Sequence, residues 1–288
     1  MQENPFVSLL RSPENPIIMG ILNITPDSFS DGGLWLAPEA ASDRALLMLM
    51  EGADMIDIGG ASTRPPGATY GAGAQPVDAS EEAARVLPVI RAILDRVPEA
   101  IISIDTTHAI VARHAIQAGA SAINDVSAGT NDPEMFATAA DLGVPIVLMH
   151  GYGTSFQEPR VDDYVYADVV REVFEYLEVR IRSAREAGIE TVIADVGIGF
   201  AKGFRDNLRL MREHRSFEEL GVSMLFGASR KSSIGHAMNR DTLPNERVAA
   251  SVAAAIHAAQ HGARIVRVHD VRETTDAFSV LNAIEGIG

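Results

Sequence analysis

Short apolar segments alternate with longer stretches of helical periodicity along most of the chain. The apolar segments are rich in aliphatic and β-branched residues; the first is PIIMGILN at 16–23 and the last is RIVRVHD at 264–270. Between them, apolar residues recur with the period of an α-helix, as in 78–97 and in the long segment 162–187. Several helical stretches end in a glycine just before the next apolar segment, which is typical of a helix C-terminus.

This alternation predicts an α/β fold, and more specifically a single-domain (β/α)8 barrel. Eight apolar segments alternate with helical stretches without any change in composition, which favours closure of a parallel sheet into a barrel. An open, doubly wound sheet is the alternative. We assign 16–288 to the barrel and 1–15 to an N-terminal extension. The weakest helix prediction is 204–221, which contains two short periodic pieces.

Every predicted strand ends in a polar or charged side chain. These ends are Asn23, Asp57, Asp105, Asn124, His150, Asp195, the group 229–231, and Arg267 with His269. A capping or purely structural role explains any one of them. Because the carboxyl ends of barrel strands meet at one face, where barrel enzymes carry their active sites, the whole set favours a shared site.

The polar strand ends form two chemical groups. The first presents carboxylate and amide edges and an ammonium group: Asp105, Asn124, Asp195 and Lys231. Such edges pair with the N–H and C=O groups of a flat heterocycle, and the lysine can donate to a ring carbonyl or nitrogen. The second combines cationic donors with an oxygen ligand: Asn23, Arg64, Arg267 and His269. This group suits a phosphate-type anion and a hard cation such as Mg²⁺.

Composition narrows the function further. A net charge of −15 argues against a nucleic-acid surface, and the lack of cysteine excludes disulfides, a thiolate nucleophile and cysteine-ligated metals. No apolar stretch is long enough to span a bilayer, so we expect a soluble, cytoplasmic protein. The scarce cations lie in or beside turn-like motifs, which indicates an anionic small-molecule ligand; they are Arg64, Lys202, Arg230, Lys231 and Arg267.

Taken in order, the motifs MGILNITPDSFSDGG, DIGGASTRPPGA, SIDT, INDVSAG, VLMH, DVGIGFAK, SRKSSIG and RVHDVRET resemble those of the dihydropteroate synthases. The resemblance runs from about residue 16 to residue 283 and covers all eight strand ends. It implies a (β/α)8 barrel, a homodimer, Mg²⁺ as cofactor and an enzyme class that is the target of sulfonamides. The implied reaction joins 6-hydroxymethyl-7,8-dihydropterin diphosphate to 4-aminobenzoate, giving 7,8-dihydropteroate and diphosphate in folate synthesis.

The resemblance also implies a role for each matching residue. The pterin pocket comprises Asp105, Asn124, Met149, Asp195 and Lys231, and the diphosphate contacts are Arg64, Arg267 and His269. Asn23 matches the Mg²⁺ ligand, and the wall for 4-aminobenzoate comprises Thr63, Pro65, Phe200 and Ser232. Phe29 and Asp31 lie in the first long loop, which we expect to close over the site, and with Lys231 they are the catalytic candidates.

The chain departs from the family pattern in its loops. Ala61 stands where Glu is usual, Pro66 is an extra residue, Val196 replaces Pro and Ala201 replaces Gly. The run MHGYGTSF also lacks the usual arginine. Two alternatives therefore remain open: a methyltransferase that moves a methyl group from methyltetrahydrofolate to a corrinoid protein, and a non-catalytic pterin-binding paralogue. The first needs no diphosphate contacts, so Arg64, SRKS and RVHD argue against it.

Overall fold

The computed structural model describes residues 3–12, 16–24, 38–61, 77–151 and 165–286. Within them, eight parallel strands form a closed barrel in chain order, with the first strand paired to both the second and the last. The strands are β1 Ile17–Asn23, β2 Met55–Gly59, β3 Ile102–Asp105, β4 Ala122–Asp125, β5 Ile146–Met149, β6 Val192–Asp195, β7 Ser223–Phe226 and β8 Ala263–Val268. The predicted barrel is confirmed, and the open sheet is wrong.

Helices cover the outside of the barrel and one of its ends. They are α1 Pro5–Arg11, α2 Pro38–Met50, α3 Ala79–Arg96, α4 Ala109–Gln117, α5 Met135–Leu142, α6 Val169–Glu186, α7 Phe204–Arg212, α8 Ser232–Ala237, α9 Val248–Gln260 and α10 Val271–Glu285. None of the helices in the described ranges is long and apolar enough to cross a membrane.

The strands are buried on both faces, which explains why their sequences read as nearly continuous apolar runs. One core layer lies between the strands and the surrounding helices and contains residues such as Ile56, Ile104 and Leu148. A second, smaller cluster fills the barrel interior and includes Met19, Met55 and other side chains that alternate with the first set. The polar residues at the strand ends therefore lie above a closed apolar plug.

Residues 3–12 pack against the barrel, although their sequence pattern predicted only an extension. Phe6 on α1 is fully buried and belongs to the interior cluster. Asn4 caps α1 through its side-chain oxygen and donates from Nδ2 to the Ser121 carbonyl at 2.8 Å. At the C-terminal end of α1, Arg264 on β8 donates to the carbonyls of Leu9, at 3.1 Å, and Ser12. The helix thus closes the end of the barrel opposite the polar strand ends.

Helix boundaries differ from the predicted ones where local capping decides them. α6 begins at Val169, because the Asp168 side chain accepts from the Arg171 N–H and its backbone is extended. The segment 204–221 forms two pieces as predicted, α7 and a 3₁₀ helix over His214–Leu220.

Candidate active site

A charged network crosses the carboxyl end of the barrel. Arg267 on β8 donates from Nε to Asp57 Oδ2 at 2.6 Å and from Nη2 to Asp105 Oδ2 at 2.7 Å. Asn124 Nδ2 also donates to Asp57 Oδ2, at 3.0 Å, and the Ser103 hydroxyl donates to Asp57 Oδ1. Strands β2, β3, β4 and β8 are therefore joined by side chains as well as by their backbone ladders.

Asp57 was predicted as a strand-end residue without a role, and the structure places it at the centre of this network. It lies in the middle of β2 and not at its end, is fully buried, and accepts from three side chains. A carboxylate inside an apolar strand must be paired, and this position was the available signal. Its partners show that Asp57 orients Asn124 and Arg267, two residues predicted to contact ligands.

The carboxyl of Asp105 can be either ionised or protonated near neutral pH. Burial raises the pKa of its carboxyl from the usual value near 3.8 to about 7, the nearby Arg267 opposes the shift, and Asp57 adds to it. Its side chain retains 18% exposure toward the open end of the barrel. Near neutral pH the carboxyl can therefore either accept from or donate to a ligand group.

Lys231 faces the opposite side of the site. Its Nζ lies 4.4 Å from the centroid of the Phe200 ring and donates to the Ile198 carbonyl. Burial lowers the pKa of the Lys231 ammonium to about 8, although Asp195 opposes the shift and favours the charged form. Burial also raises the pKa of Asp195, whose Oδ1 accepts from the Gly197 N–H at 2.7 Å. Lys231 and Asp195 thus each favour the charged form of the other, beside an aromatic ring.

Two glycines, Gly59 and Gly151, lie next to predicted site side chains and show which of these are neighbours. A Cβ on Gly59 would lie 3.6 Å from both Asn23 Oδ1 and Asp105 Oδ2, so these two oxygens approach the same point. A Cβ on Gly151 would similarly meet Met149 Cε at 3.5 Å and Phe200 Cβ at 3.7 Å. Asn23 therefore belongs to the Asp105 side of the site, and Met149 to the Phe200 side.

The loop after β8 is tied to the loop after β7. His269 donates from its backbone N–H to Ser229 Oγ at 3.1 Å, and its Nδ1 lies at the same distance from that hydroxyl. Arg230 makes a two-point ion pair with Asp270, with Nε 3.0 Å from Oδ2. Ser232 is exposed at the start of α8, next to Lys231 in the chain.

The expectation that the scarce cations surround an anionic ligand is wrong for two of them. Arg230 is committed to Asp270 and holds a left-handed backbone at φ 60°. Lys202 is only 3% exposed, and its Nζ contacts backbone carbonyls and His150. Lys202 is buried among fixed acceptors and Arg230 is held by its ion pair, so both residues organise loops.

Five predicted site residues lie outside the described residues: Phe29, Asp31, Thr63, Arg64 and Pro65. Their roles stay predictions. Pro66 lies outside them too.

Comparisons with known proteins all point to one family. A model of the pterin binding enzymes matches residues 19–269. The dihydropteroate synthase of Streptococcus pyogenes serotype M6 is 41% identical over 272 residues, covering 94% of this chain and 96% of that protein. The chain belongs to the dihydropteroate synthase family. The family's enzyme from Escherichia coli K12 is 42% identical over 274 residues, covering 93% of this chain and 92% of that protein.

Solved structures of the dihydropteroate synthase family share the whole fold. The Xanthomonas albilineans enzyme with 4-aminobenzoic acid is 44% identical, with a TM-score of 0.85 over 96% of this chain and 95% of that chain. The same enzyme in complex with 7,8-dihydropteroate is 42% identical, with a TM-score of 0.82 over the same shares.

Two departures from the family's pattern lie in the β6 loop, which we define as residues 196–203. Val196 is fully buried, and Ala201 adopts a left-handed backbone at φ 47°. Ala201 therefore keeps a backbone conformation that glycine adopts more readily than alanine. An alanine there is strained by about 1 kcal/mol relative to glycine, which the rest of the loop must offset.

Proposed function

We propose that this enzyme joins 6-hydroxymethyl-7,8-dihydropterin diphosphate to 4-aminobenzoate, producing 7,8-dihydropteroate and diphosphate. The proposal rests on one observation: two sets of polar side chains face each other across the carboxyl end of the barrel. Asp105 and Asn124 are held by Asp57 and Arg267, and opposite them Asp195 stands beside Lys231 and Phe200. Support also comes from the relatives, whose structures contain 4-aminobenzoic acid and 7,8-dihydropteroate.

The pterin ring is the ligand that this donor and acceptor set fits. Its amino, N–H and carbonyl groups lie along the ring edge, and Asp105, Asn124 and Asp195 present complementary groups from three strands. Lys231 supplies a donor that remains largely charged at neutral pH, because its pKa is about 8. Met149 is almost fully buried beside Phe200 and adds an apolar contact.

The diphosphate belongs at the side of the site that carries Arg267 and His269, with Arg64 added from the second loop. Arg267 contacts its two carboxylates through Nε and Nη2, which leaves Nη1 to donate to a phosphate oxygen. His269 is oriented by Ser229 and lies two residues beyond Arg267. Arginine and histidine donors stabilise the negative charge that develops on the leaving diphosphate.

Mg²⁺ fits the Asn23 side of the site. Asn23 Oδ1 lies on the Asp105 side of the site, and an amide oxygen is a hard ligand of the kind that Mg²⁺ prefers. Within the described ranges, no group of three His, Cys, Asp or Glu side chains could hold a metal. A cation bound by one or two protein oxygens and completed by phosphate and water suits this arrangement. When bound, it would neutralise charge on the diphosphate.

The chemistry breaks the bond between the pterin methylene carbon and the diphosphate oxygen, and forms a bond from that carbon to the aromatic amine. The bond electrons leave with the diphosphate, and the amine nitrogen then loses a proton. An aromatic amine is a weak nucleophile, so departure of the leaving group before attack suits the site. Water must be excluded meanwhile, and we assign this to the first loop, with Phe29 and Asp31.

The aromatic amine is placed against Phe200, with Thr63, Pro65 and Ser232 completing its wall. Phe200 is half-buried next to Lys231, and Ser232 is exposed at the start of α8, where its hydroxyl can donate to a carboxylate. Sulfonamides resemble 4-aminobenzoate in shape, and the Yersinia pestis relative has been solved with such a drug. We extend the proposal to a cytoplasmic homodimer that is a sulfonamide target.

Diphosphate release with and without 4-aminobenzoate tests this function. The expected result is release that depends on the amine and yields dihydropteroate. Lys231→Ala should weaken pterin binding, whereas Asp31→Ala should spare binding and lower turnover. Pterin binding without amine-dependent turnover would favour the non-catalytic paralogue, and methyl transfer from methyltetrahydrofolate to a corrinoid protein would favour the methyltransferase.

A further inference from the structure

The β6 loop is held by side-chain donors that surround its backbone carbonyls. Lys202 Nζ donates to the carbonyls of Gly197 and Phe200, both at 3.0 Å. Lys231 Nζ donates to the Ile198 carbonyl, and the Tyr166 hydroxyl donates to the Ala201 carbonyl at 2.9 Å. Such a set of contacts over-determines the path of the loop, which explains how a left-handed alanine persists in it.

Lys202 also joins the β6 loop to the end of β5. Its Nζ lies 2.8 Å from His150 Nδ1 and 3.0 Å from the His150 carbonyl oxygen. Because an ammonium group has only donors, Nδ1 must accept, and the imidazole proton lies on Nε2. Burial and the adjacent Lys202 lower the pKa of His150 to about 2, so the ring stays a neutral acceptor at physiological pH.

The side chain that depends on this anchoring is Phe200. Its own carbonyl accepts from Lys202, and its ring lies against Lys231. The position of Asp195 depends less on Lys202, because Asp195 lies on β6, where the backbone ladders to β5 and β7 hold it. Lys202 itself is too deeply buried to touch a substrate. Loss of its contacts should therefore displace the aromatic wall more than the pterin-binding carboxylate.

We propose that Lys202 is a positioning residue that sets the affinity of the enzyme for its aromatic amine by fixing the β6 loop and the Phe200 ring. This inference rests on the proposed function, since it concerns the second substrate of the same site. The contacts of Lys202 also bear on the two departures from the family pattern in this loop, Val196 in place of proline and Ala201 in place of glycine. They hold the loop rigid despite these replacements.

The test compares Lys202→Met with a matched control, Arg264→Met. Arg264 likewise donates to several backbone carbonyls, those of Leu9, Leu10 and Ser12, but at the opposite end of the barrel. For Lys202→Met, KM for 4-aminobenzoate should rise by about 10- to 100-fold, while the Kd for the pterin stays close to that of the unmodified protein. Arg264→Met should lower stability without raising that KM.

Tyr166→Phe keeps the inference testable if Lys202→Met does not fold. It removes a single donor from the Ala201 carbonyl and should raise KM for 4-aminobenzoate in the same direction by a smaller factor, again without a matching change in pterin Kd. Affinity for 4-aminobenzoate is also measured directly, by calorimetry on the enzyme with pterin and diphosphate.

The outcomes separate the loop role from the proposed function. If the unmodified protein does not bind 4-aminobenzoate, the proposed function fails. If it binds the amine and the Lys202 and Tyr166 variants that fold bind equally well, the positioning role is wrong. Equal losses of pterin and amine affinity, or a KM increase in Arg264→Met, would also overturn it, since they indicate general destabilisation.

Discussion

Lys231 shows how one residue's surroundings set the pH range in which its side chain carries a charge. Burial lowers the pKa of its ammonium to about 8, and Asp195 keeps the shift from being larger. The side chain is therefore mostly charged at neutral pH but loses its proton as the pH rises through 8. A neutral amine donates more weakly than an ammonium group and loses its electrostatic attraction to Asp195, so we expect a ligand group that accepts from Lys231 to be bound less tightly.

We expect pterin affinity to fall as the pH rises above about 8, approaching a tenfold loss per pH unit. The measurement is the Kd of 6-hydroxymethyl-7,8-dihydropterin between about pH 6 and 9.5; this ligand lacks phosphates, so phosphate titration cannot contribute. Lys231→Met should bind weakly at every pH and lack this decline. The same slope in the variant would assign the titration to another group.

The residues at the strand ends could be predicted because each interrupts an apolar run, and the fold brings these ends to one face. Asp105, Asn124 and Asp195 were predicted in this way, and the structure places them at that face. Their partners could not be predicted, because the Asp57–Arg267 contact joins residues that are far apart in sequence and depends on closure of the barrel. For the same reason the roles of Lys202 and Arg230 were missed: sequence shows a cation in a turn but not which acceptors surround it.

The β6 loop contains a glycine that packs directly against the backbone at the end of β5. Gly197 has φ +70°, and a Cβ there would lie 1.9 Å from the His150 carbonyl oxygen. Gly143, which ends α5, has a similar φ of +63°, but a Cβ there would meet no described atom within 4 Å. The two positions therefore separate backbone strain from a steric clash.

Gly143→Ala should lower the free energy of unfolding by about 1–2 kcal/mol, the cost of a left-handed backbone with a side chain. Gly197→Ala should lower it by about 3–5 kcal/mol, because the clash with a backbone carbonyl adds to the strain. Urea unfolding of both variants and the unmodified protein measures the difference. Equal losses would mean that β5 and the β6 loop move apart without cost.

Helix boundaries were predictable where periodicity is long, and poorly predictable where helices are short. α3 was predicted close to its observed bounds, since its 18 residues carry an amphipathic pattern and an Asp78 cap. α1 and α8 were not predicted. With 7 and 6 residues they are too short to be stable alone, so contacts with the barrel decide that they form.

In the whole molecule, the two ends of the barrel differ in structure. The polar strand ends gather at one end, and α1 closes the other, where Phe6 inserts into the interior cluster and Arg264 binds the helix carbonyls. Mutations at the closed end should therefore change stability and leave substrate affinity alone. This separation is a property of barrel closure and not of any single element.

Phe6→Ala tests whether the first residues belong to the barrel's packing. Phe6 is fully buried, so its removal should lower the free energy of unfolding by about 3–5 kcal/mol, while KM for 4-aminobenzoate stays unchanged. Phe204→Ala is the control: that side chain is 38% exposed on α7, and its loss should cost within about 1 kcal/mol. Both values come from urea unfolding. If Phe6→Ala cost no more than Phe204→Ala, residues 3–12 would be an extension that the barrel does not need.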